Sequence, residues 1–269
     1  MTAAMREAAL TCLAPLFVPA DRPDRFAKAA ASGADAIIID LEDAIAPDRK
    51  AQVRDALSRD TLPAAPILLR VNGTATEWFA GDLAAALALG IGCLLLPKAE
   101  TPGDIATVRA AGPFGIVALI ETAHGLANAR AIAGGVDRLA FGSIDYAVDL
   151  GCAHRREALL TARSEVVLAS QLAGLHPPLD GVTTGFDDPA EAEADARYAS
   201  SLGFAGKLCI HPRQIEAVKA GFAPTAAEVD WATAILAAPE GGAAKVAGTM
   251  VDAPVRQRAR QILARRRDT

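Results

Sequence analysis

The stretch AIIIDLEDAIAPDRK, residues 36–50, joins a run of apolar residues directly to a group of acids. Four apolar residues, 36–39, are followed by Asp40, Glu42 and Asp43 within four positions. A short continuous apolar run rich in isoleucine is typical of a strand buried on both faces of a parallel sheet. Acids are rarely buried without a partner. The acids at the end of this strand therefore need compensating partners, which other strand ends of the chain can supply.

Composition limits the class of protein. Apolar residues make up 52% of the 269 residues, charged residues 22% and aromatic residues 4%, which indicates a globular α/β or all-α chain. The net charge of −5 and the pI near 5.4 argue against a nucleic acid as the main partner. No apolar run reaches the ~18 residues of a membrane span. Residues 1–10 lack a secretory leader, and the four scattered cysteines lack metal-type spacing, so we expect a cytoplasmic protein with reduced thiols.

Short apolar runs alternate with longer, Ala-rich amphipathic stretches along residues 14–219. This alternation predicts parallel strands joined by helices, and eight such strands match a (β/α)8 TIM barrel of the α/β class. The predicted strands are 14–19, 36–40, 66–71, 93–97, 115–121, 138–142, 177–182 and 206–212. The predicted helices are 22–32, 47–58, 77–89, 102–111, 124–134, 155–173, 188–201 and 213–219.

The pattern changes after residue 222, which divides the chain into a barrel domain, 1–222, and a C-terminal helical extension, 223–269. A helix is predicted over 225–238, because Thr225 and Glu228 have the spacing of a capping box. A Pro- and Gly-rich break follows at 239–248. A last helix is predicted from about 254 to 267, with Pro254 in its first turn. We expect the extension to pack on a neighbouring subunit.

Polar and charged residues follow every predicted strand and are much rarer before the strands. In a parallel barrel all strands end at one face, where the loops that follow them build the active site. We therefore expect these side chains to meet at one mouth of the barrel. In chain order they are Asp21 and Arg22, then Asp40, Glu42 and Asp43, then Arg70 and Asn72, Lys98 and Glu100, Glu121, Asp145, Asp180 and Thr183, and His211.

Carboxylates that converge on one point repel each other and need a cation. Either a divalent metal ion or the basic residues at the same strand ends can supply it. Glu121 and Asp145 follow adjacent strands, and two oxygen ligands with places left for water and substrate suit Mg2+. A single acid can instead cap the following helix, as Asp43 or Asp48 can after the second strand.

Three basic residues at the strand ends have alternative interpretations. Arg70 lies inside an apolar strand and needs an anion, which is either a ligand carboxylate or carbonyl or a structural ion pair. Lys98 can act as a Schiff-base nucleophile, but Pro97 and Glu100 beside it favour a loop lysine with an ion pair. His211 precedes a proline and is favoured as a helix-start residue.

The segment GSIDY, 142–146, combines Asp145 with two small residues, Gly142 and Ser143, that permit a tight turn. Consecutive backbone N–H groups in such a turn form a small anion site. A substrate carboxylate held there places its adjacent oxygen beside the metal, an arrangement that suits a 2-keto acid or its enolate.

Seven segments together resemble the citrate lyase beta subunit-like group of the HpcH/HpaI aldolase/citrate lyase family. They cover nearly the whole chain and occur in the family's order. The segments are LFVPADRPDRFAKAAASGADAIIIDLEDAIAPDRK, ILLRVN, LLPKAE, ALIETAHGLANARAIA, LAFGSIDYAVDLG, KLCIHPRQI and GTMVDAPVRQRARQIL. The resemblance implies a TIM barrel of the phosphoenolpyruvate/pyruvate superfamily, with Mg2+ as cofactor and a homotrimer or hexamer as the assembly.

The resemblance also implies how the metal and the keto acid are held. Glu121 and Asp145 match the carboxylates that bind Mg2+. Arg70 matches the arginine that contacts the keto acid. Glu42 and Asp43 match an acidic pair that orders metal-bound waters.

Other implied roles concern the substrate ends and the proton transfers. Arg22 matches a position near the phosphates of coenzyme A, and Asp252 matches an aspartate that enters the neighbouring subunit's site as an acid/base group. The carboxylate cradle of the family is matched by four consecutive backbone amides, those of Gly142, Ser143, Ile144 and Asp145.

The activity that follows from these expectations is a Mg2+-dependent carbon–carbon lyase of the retro-Claisen or retro-aldol type. It would cleave or form a 3-hydroxyacyl-CoA type thioester from an acyl-CoA and glyoxylate, pyruvate or oxaloacetate. Two alternatives remain open. One is a non-autonomous citrate lyase beta-type subunit that acts only on a partner-carried thioester, and the other is a Schiff-base aldolase that uses Lys98 or Lys207.

Overall fold

An eight-stranded parallel sheet forms the centre of the molecule in the computed structural model, which describes residues 2–239, 244–246 and 249–266. The strands pair in chain order, each with the next. They are β1 (Leu16–Pro19), β2 (Ile37–Asp40), β3 (Ile67–Arg70), β4 (Cys93–Leu96), β5 (Gly115–Ile120), β6 (Arg138–Phe141), β7 (His176–Asp180) and β8 (Gly206–Lys207). This order is that of the predicted (β/α)8 barrel, which is confirmed.

Backbone hydrogen bonds join the last strand to the first and close the sheet. Lys207 N donates to Leu13 O at 2.8 Å, and Cys209 N donates to Pro15 O at 2.9 Å. Phe17 N then donates to Cys209 O at 2.9 Å. Because these bonds satisfy both edges, the sheet is a barrel with no open edge between β8 and β1.

Thirteen α-helices lie within the described residues, and most of them connect consecutive strands. They are α1 (Ala3–Thr11), α2 (Phe26–Ala30), α3 (Lys50–Ala56), α4 (Phe79–Leu89), α5 (Pro102–Ala111), α6 (Ala123–Ala127), α7 (Ala129–Ala133), α8 (Ser143–Leu150), α9 (Arg156–Leu172), α10 (Pro189–Leu202), α11 (Ile215–Phe222), α12 (Ala226–Ala237) and α13 (Ala253–Ala264). None of the described helices is long and apolar enough to cross a membrane.

The strand side chains alternate between two buried cores. Ile38 points into the barrel and packs in a cluster with Leu68 and Leu95, whereas Ile37 and Ile39 belong to the larger core between the strands and the surrounding helices. Both faces of β2 are therefore buried, which is why its sequence is a continuous apolar run. The same alternation holds the strand ends in fixed positions at the mouth.

Arg138, at the start of β6, closes the opposite end of the barrel together with α1. Its side chain is fully buried and donates to Leu10 O at 3.1 Å, Cys12 O at 2.6 Å and Pro177 O at 2.8 Å. Burial lowers its pKa to about 10. This arginine thus has a structural role, whereas the polar residues of the other mouth surround a cavity.

The C-terminal residues contain their own small core. Helices α12 and α13 pack around Ala232, Ile235 and Ile262, and a two-stranded antiparallel hairpin, β9 (Ala244–Val246) and β10 (Thr249–Val251), precedes α13. The capping box of Thr225 and Glu228 is confirmed. The predicted domain division at residue 222 and the packing of the extension on a neighbouring subunit stay predictions.

Several predicted boundaries were wrong for local reasons. The helix predicted over 124–134 is broken at Asn128, whose side-chain amide donates to Glu100 O at 2.8 Å. The helix predicted over 22–32 begins as a 3₁₀ turn, Pro23–Arg25, and ends at Ala30. Helix α1 was missed, and β8 is two residues long instead of seven. Helix α13 ends at Ala264, and the predicted end at residue 267 lies outside the described residues.

The interpretations of three capping residues had different outcomes. Neither Asp43 nor Asp48 caps the helix after β2, because the 3₁₀ turn there, Pro47–Arg49, has Ala46 as its N-cap and no side-chain cap. The interpretation of His211 as a helix-start residue is confirmed, since its Nδ1 accepts from Arg213 N at 3.2 Å.

Candidate functional site

A cavity of about 450 Å³ opens at the mouth formed by the strand ends. Its walls combine apolar side chains from the inner barrel with charged groups from the ends of β2, β3, β5 and β6. The polar and charged lining residues are Asp40, Asp43, Arg70, Glu121, Ser143 and Asp145. A concave site of this size, with a few convergent polar groups, is the usual form of a small-molecule site.

Arg70 faces three carboxylates from the end of β2. Asp40 and Arg70 are paired in the sheet register, and Nε and Nη2 of Arg70 lie 2.7 Å and 2.6 Å from the two oxygens of Asp40. Nη1 lies 3.0 Å from Glu42 Oε2 and 3.2 Å from Asp43 Oδ2, and the guanidinium stacks over the ring of Phe17 at 4.9 Å. Burial alone would lower the pKa of Arg70, but the hydrogen bond to Asp40 and the nearby acids raise it. The arginine is therefore a fixed cation in the cavity wall.

The two carboxylate oxygens of Glu42 have different partners. Its Oε1 accepts from Lys98 Nζ at 2.6 Å. Its buried Oε2 has no hydrogen bond within the described residues, because Arg70 Nη1 lies at ion-pair distance without pointing its N–H at that atom. Burial raises the pKa of Glu42 against the opposing effects of Arg70 and Lys98. Glu42 thus forms ion pairs with both Arg70 and Lys98 and does not itself line the cavity.

Glu121 and Asp145 are brought to the same cavity from the ends of β5 and β6. Glu121 is 2% exposed, and its Oε1 accepts from the backbone N–H of Lys98 at 2.7 Å. Lys98 adopts a positive φ of 48°, which directs its N–H at this oxygen. The Asp145 side chain has no hydrogen bond or ion pair among the described residues. Burial, followed by the charges of Glu42 and Asp145, raises the pKa of Glu121 to about 8.

The arrangement of Glu121 and Asp145 suits a binding site for a hard divalent cation. A buried carboxylate next to other acids favours the protonated form unless a cation compensates it. Carboxylate oxygens are the ligands that Mg2+ prefers. No group of three or more His, Cys, Asp or Glu side chains arranged for a metal occurs in the described part of the chain, so a bound Mg2+ would take its other ligands from water and substrate.

We expect the metal-free protein to lose stability as the pH rises from about 4.5 to about 8 through Glu121. The unfolded chain ionises this residue near 4.5 and the folded chain near 8, so between these values the folded state binds the additional proton and stability falls with pH. Thermal unfolding in EDTA at pH 5, 6.5 and 8 tests this for the wild type against Glu121→Gln. A difference in melting temperature between the two proteins that does not change with pH would contradict the raised pKa of Glu121.

The loop between β6 and α8 lies tightly against Glu121. A Cβ atom on Gly142 would lie 2.3 Å from Glu121 Oε2, so only glycine allows this approach. Gly142 is the N-cap of α8, and Tyr146 N makes the first helical hydrogen bond, to Gly142 O at 3.0 Å. The N–H groups of Ser143, Ile144 and Asp145 precede that bond, so they are first-turn donors that can hold an anion. The predicted tight turn is thus a helix start, and the fourth amide of the predicted cradle, that of Gly142, instead donates to Ile120 O at 3.0 Å.

Besides Glu42, two more predicted site residues do not line the cavity within this chain. Arg22 is partly exposed and makes a bidentate pair with Asp24, at 2.9 Å and 2.8 Å. Asp252 is exposed and caps α13, where its Oδ1 accepts from Val255 N at 3.0 Å. Neither residue lines the cavity.

The two lysines considered for Schiff-base chemistry are both paired with carboxylates. The hydrogen bond to Glu42 and the surrounding acids outweigh burial and raise the pKa of Lys98, and its partner is Glu42 instead of the predicted Glu100. Lys207 is 1% exposed, and its Nζ lies 3.3 Å from Asp180 Oδ2 and 2.5 Å from Gly181 O. A covalent amine must lose its proton, so this geometry disfavours both.

Sequence reasoning gave no role to two features of the mouth. The first is the pair of Asp40 with Arg70, which the position of the two residues opposite each other in adjacent parallel strands could have identified. The second feature is a contact of 2.9 Å between Ser143 Oγ and His154 Nε2. His154 lies in the loop between α8 and α9, where no pattern in the sequence relates it to the cavity.

Comparisons with known proteins agree with this geometry. Residues 13–212 match the family model described as HpcH/HpaI aldolase/citrate lyase. A citrate lyase subunit beta-like protein of Mycobacterium tuberculosis is 36% identical over 261 residues, which cover 93% of this chain and 94% of that protein. A (3S)-malyl-CoA thioesterase of Cereibacter sphaeroides is 35% identical over 266 residues, 93% of each chain.

A solved structure supports the same relationship. The protein CitE from Mycobacterium tuberculosis, in complex with magnesium, acetoacetate and coenzyme A, superposes with a TM-score of 0.87 and 36% identity. The match covers 96% of this chain and 98% of that chain. With nearly full-length similarity in sequence and in structure, the chain belongs to the HpcH/HpaI aldolase/citrate lyase family.

Proposed function

We propose that this chain is a Mg2+-dependent carbon–carbon lyase. It would cleave or form a 3-hydroxyacyl-CoA type thioester from an acyl-CoA and a 2-keto acid such as glyoxylate, pyruvate or oxaloacetate. The observation that carries the proposal is the presence of Glu121, Asp145 and Arg70 in the wall of one cavity. The complex of the related CitE protein with magnesium, acetoacetate and coenzyme A supports it.

In this proposal Glu121 and Asp145 hold Mg2+, and Glu42 and Asp43 order its waters. The ion would supply Lewis-acid polarisation of the substrate oxygen on the carbon that is cleaved. Asp43 lines the cavity, and Glu42 would act from behind it, through its ion pairs with Arg70 and Lys98. This donor set leaves coordination positions for substrate, as the chemistry requires.

Arg70 and the start of α8 orient the keto acid. The N–H groups of Ser143, Ile144 and Asp145 receive its carboxylate at a helix N-terminus, where negative charge is favoured. The guanidinium of Arg70 is held by Asp40, so it faces the cavity without reorganising as charge develops on the substrate oxygen. These two donors fix both ends of a small 2-keto acid.

Gly142→Ala is expected to lower lyase activity by about 100-fold, since a displacement of about 1 Å in a reactive group can have that effect. The added methyl group meets both Oε2 and Cβ of Glu121, at 2.3 Å and 2.4 Å, and must displace that side chain. Gly73→Ala is the control, because nothing lies within 4 Å of a Cβ there. Steady-state kinetics measures the effect, and equal activity of both variants would contradict the proposed role of the close approach.

In our proposal, Arg22 and Asp252, which lie outside the cavity, act on the thioester part of the substrate. Arg22 would bind coenzyme A phosphates, exchanging its partner Asp24 for the ligand. Residues 223–269 would form an extension that packs on the neighbouring subunit of a homotrimer or hexamer and presents Asp252 to that subunit's site. Asp252 would then protonate the thioester enolate after cleavage.

Subunit mixing tests the proposed position of Asp252. Asp252→Ala and Glu121→Ala are each expected to be inactive alone. When the two variants are co-expressed, some mixed assemblies contain a site with Glu121 from one subunit and Asp252 from its neighbour. Activity should therefore return. Failure of every mixed assembly to regain activity, with mixing verified by native mass spectrometry, would contradict action between subunits.

A panel of thioesters tests the function itself. Acyl-CoA substrates should react with glyoxylate, pyruvate or oxaloacetate in the presence of Mg2+ and no other protein, and EDTA should abolish the reaction. Hydrolysis of the thioester would instead indicate a thioesterase, which the 35% identity to a malyl-CoA thioesterase keeps as the second candidate. Activity only on a partner-carried thioester would indicate the subunit role of citrate lyase, and a borohydride-trapped lysine adduct would indicate a Schiff-base aldolase.

A further inference from the structure

A serine hydroxyl in the cavity wall is hydrogen-bonded to a histidine outside the cavity. Ser143 lines the cavity beside Gly142 and Asp145, and its side chain is 1% exposed. Its Oγ lies 2.9 Å from Nε2 of His154, in the loop that follows α8. The roles proposed above for residue 143 use only its backbone N–H, so this side-chain contact has no part in them.

The hydroxyl occupies a niche that the neighbouring strand leaves open for it. A Cβ atom on Gly181, just after β7, would lie 2.2 Å from Ser143 Oγ and 2.9 Å from Phe141 O. The carbonyl of Gly181 also accepts from the buried Lys207 Nζ. Ser143 is thus fixed between the ends of β6 and β7, with its hydroxyl directed towards His154.

His154 links this niche to a second cavity. That cavity has a volume of about 280 Å³, and its wall includes His154, Arg163, Thr183 and Asp195. Val182 lines both cavities. His154 is itself exposed. The pair Ser143–His154 therefore spans the wall between the proposed substrate site and a solvent-reaching pocket.

Partial burial and two nearby cations lower the pKa of His154. Burial, followed by the cations Arg163 on α9 and Lys207 on β8, lowers its pKa, against opposing effects of Asp195 on α10 and Asp180 on β7. This shift favours the neutral imidazole, in which one ring nitrogen is an acceptor. The tautomer with the proton on Nδ1 leaves Nε2 free to accept the proton of Ser143.

We propose that Ser143 and His154 form a proton relay that removes the hydroxyl proton of the 3-hydroxyacyl thioester. This inference rests on the proposed lyase function and supplies the base that the function needs. The substrate O–H proton passes to Ser143 Oγ while the serine proton passes to His154 Nε2. The O–H electron pair forms the carbonyl of the keto acid, the electrons of the broken C–C bond remain on the thioester as an enolate, and the imidazolium releases its proton to solvent.

Ser143→Ala and His154→Gln test the relay, and both keep the backbone amides that hold the substrate carboxylate. Each variant is expected to lower kcat about 100-fold or more, the usual contribution of general base catalysis. The double variant should be no slower than either single one, because the two groups act as a unit. Pyruvate binding in the presence of Mg2+ should remain within about threefold of wild type, and His124→Gln on α6 is the control.

The pH profile separates a relay from a merely structural contact. In the wild type kcat should fall at low pH as His154 takes up a proton, and this limb should disappear in His154→Gln. The pKa of His154 followed by NMR should change in Ser143→Ala. Variants with kcat within threefold of wild type, losses that multiply in the double variant, or an unchanged acid limb would overturn the relay alone. A wild-type protein that turns over no CoA thioester would overturn the proposed function and the relay with it.

Discussion

Glu121→Gln is expected to weaken Mg2+ binding by more than about 100-fold, since the loss of even an outer partner of a metal ligand can reduce affinity by about 10–100-fold. The substitution keeps the size of the side chain and the acceptor for Lys98 N, so the local fold is preserved. Asp145→Asn should have a similar effect. Isothermal titration with Mg2+ in the presence of pyruvate measures both.

The same Glu121→Gln substitution should raise the thermal stability of the metal-free protein. Glu121 is 2% exposed, and burial and the neighbouring acids Glu42 and Asp145 raise its pKa to about 8, so a neutral amide avoids the cost of either ionising the side chain or keeping it protonated above pH 4.5. Loss of metal affinity together with a higher melting temperature distinguishes a metal ligand from a structural acid. Glu100→Gln is the control, and Mg2+ affinity within threefold of wild type in both Glu121→Gln and Asp145→Asn would remove the metal site.

Arg70→Lys is expected to weaken pyruvate binding by about 10–100-fold, because a hydrogen bond from a charged group contributes about 1.5–3 kcal/mol. A lysine cannot reproduce the planar fork that pairs with Asp40 and also faces the cavity. It would also leave the acids of β2 less well compensated, so we expect a lower melting temperature. Titration with pyruvate in saturating Mg2+ measures the first effect and thermal unfolding the second.

Arg49→Lys is the matched control for this substitution. Arg49 also pairs with an aspartate, Asp21, at 3.0 Å, but its side chain is 52% exposed, and exposed pairs contribute little. It should bind pyruvate and unfold as the wild type does. Unchanged pyruvate affinity in Arg70→Lys would contradict the role of Arg70 in holding the keto acid.

The barrel could be predicted because each strand is buried on both faces. Ile37, Ile38 and Ile39 point alternately to two cores, so the apolar runs are continuous and easily counted. The position of Glu121 and Asp145 in one cavity follows from the same pattern, since neighbouring parallel strands end side by side. The expected metal ligands depended only on strand order, which the sequence specifies well.

Other features depend on side-chain geometry that strand order does not define. The side chain of Lys98 pairs with Glu42 and not with Glu100, which is nearer in the sequence. The positive φ of Lys98 turns the chain at this point. Asn128 interrupts the helix predicted over 124–134, and its side-chain amide donates to the carbonyl of Glu100 across the loop. His154 contacts Ser143 although it lies eleven positions later in the chain, beyond the end of α8. Such contacts join residues whose sequence spacing carries no signal.

The most direct measurement is a crystal structure of the protein grown with pyruvate and Mn2+ in place of Mg2+, with anomalous diffraction recorded at the manganese edge. We expect one strong peak between the carboxylates of Glu121 and Asp145, with an oxygen of pyruvate within coordinating distance and Arg70 on its other side. A peak elsewhere, or an ion bound by neither carboxylate, would contradict the account.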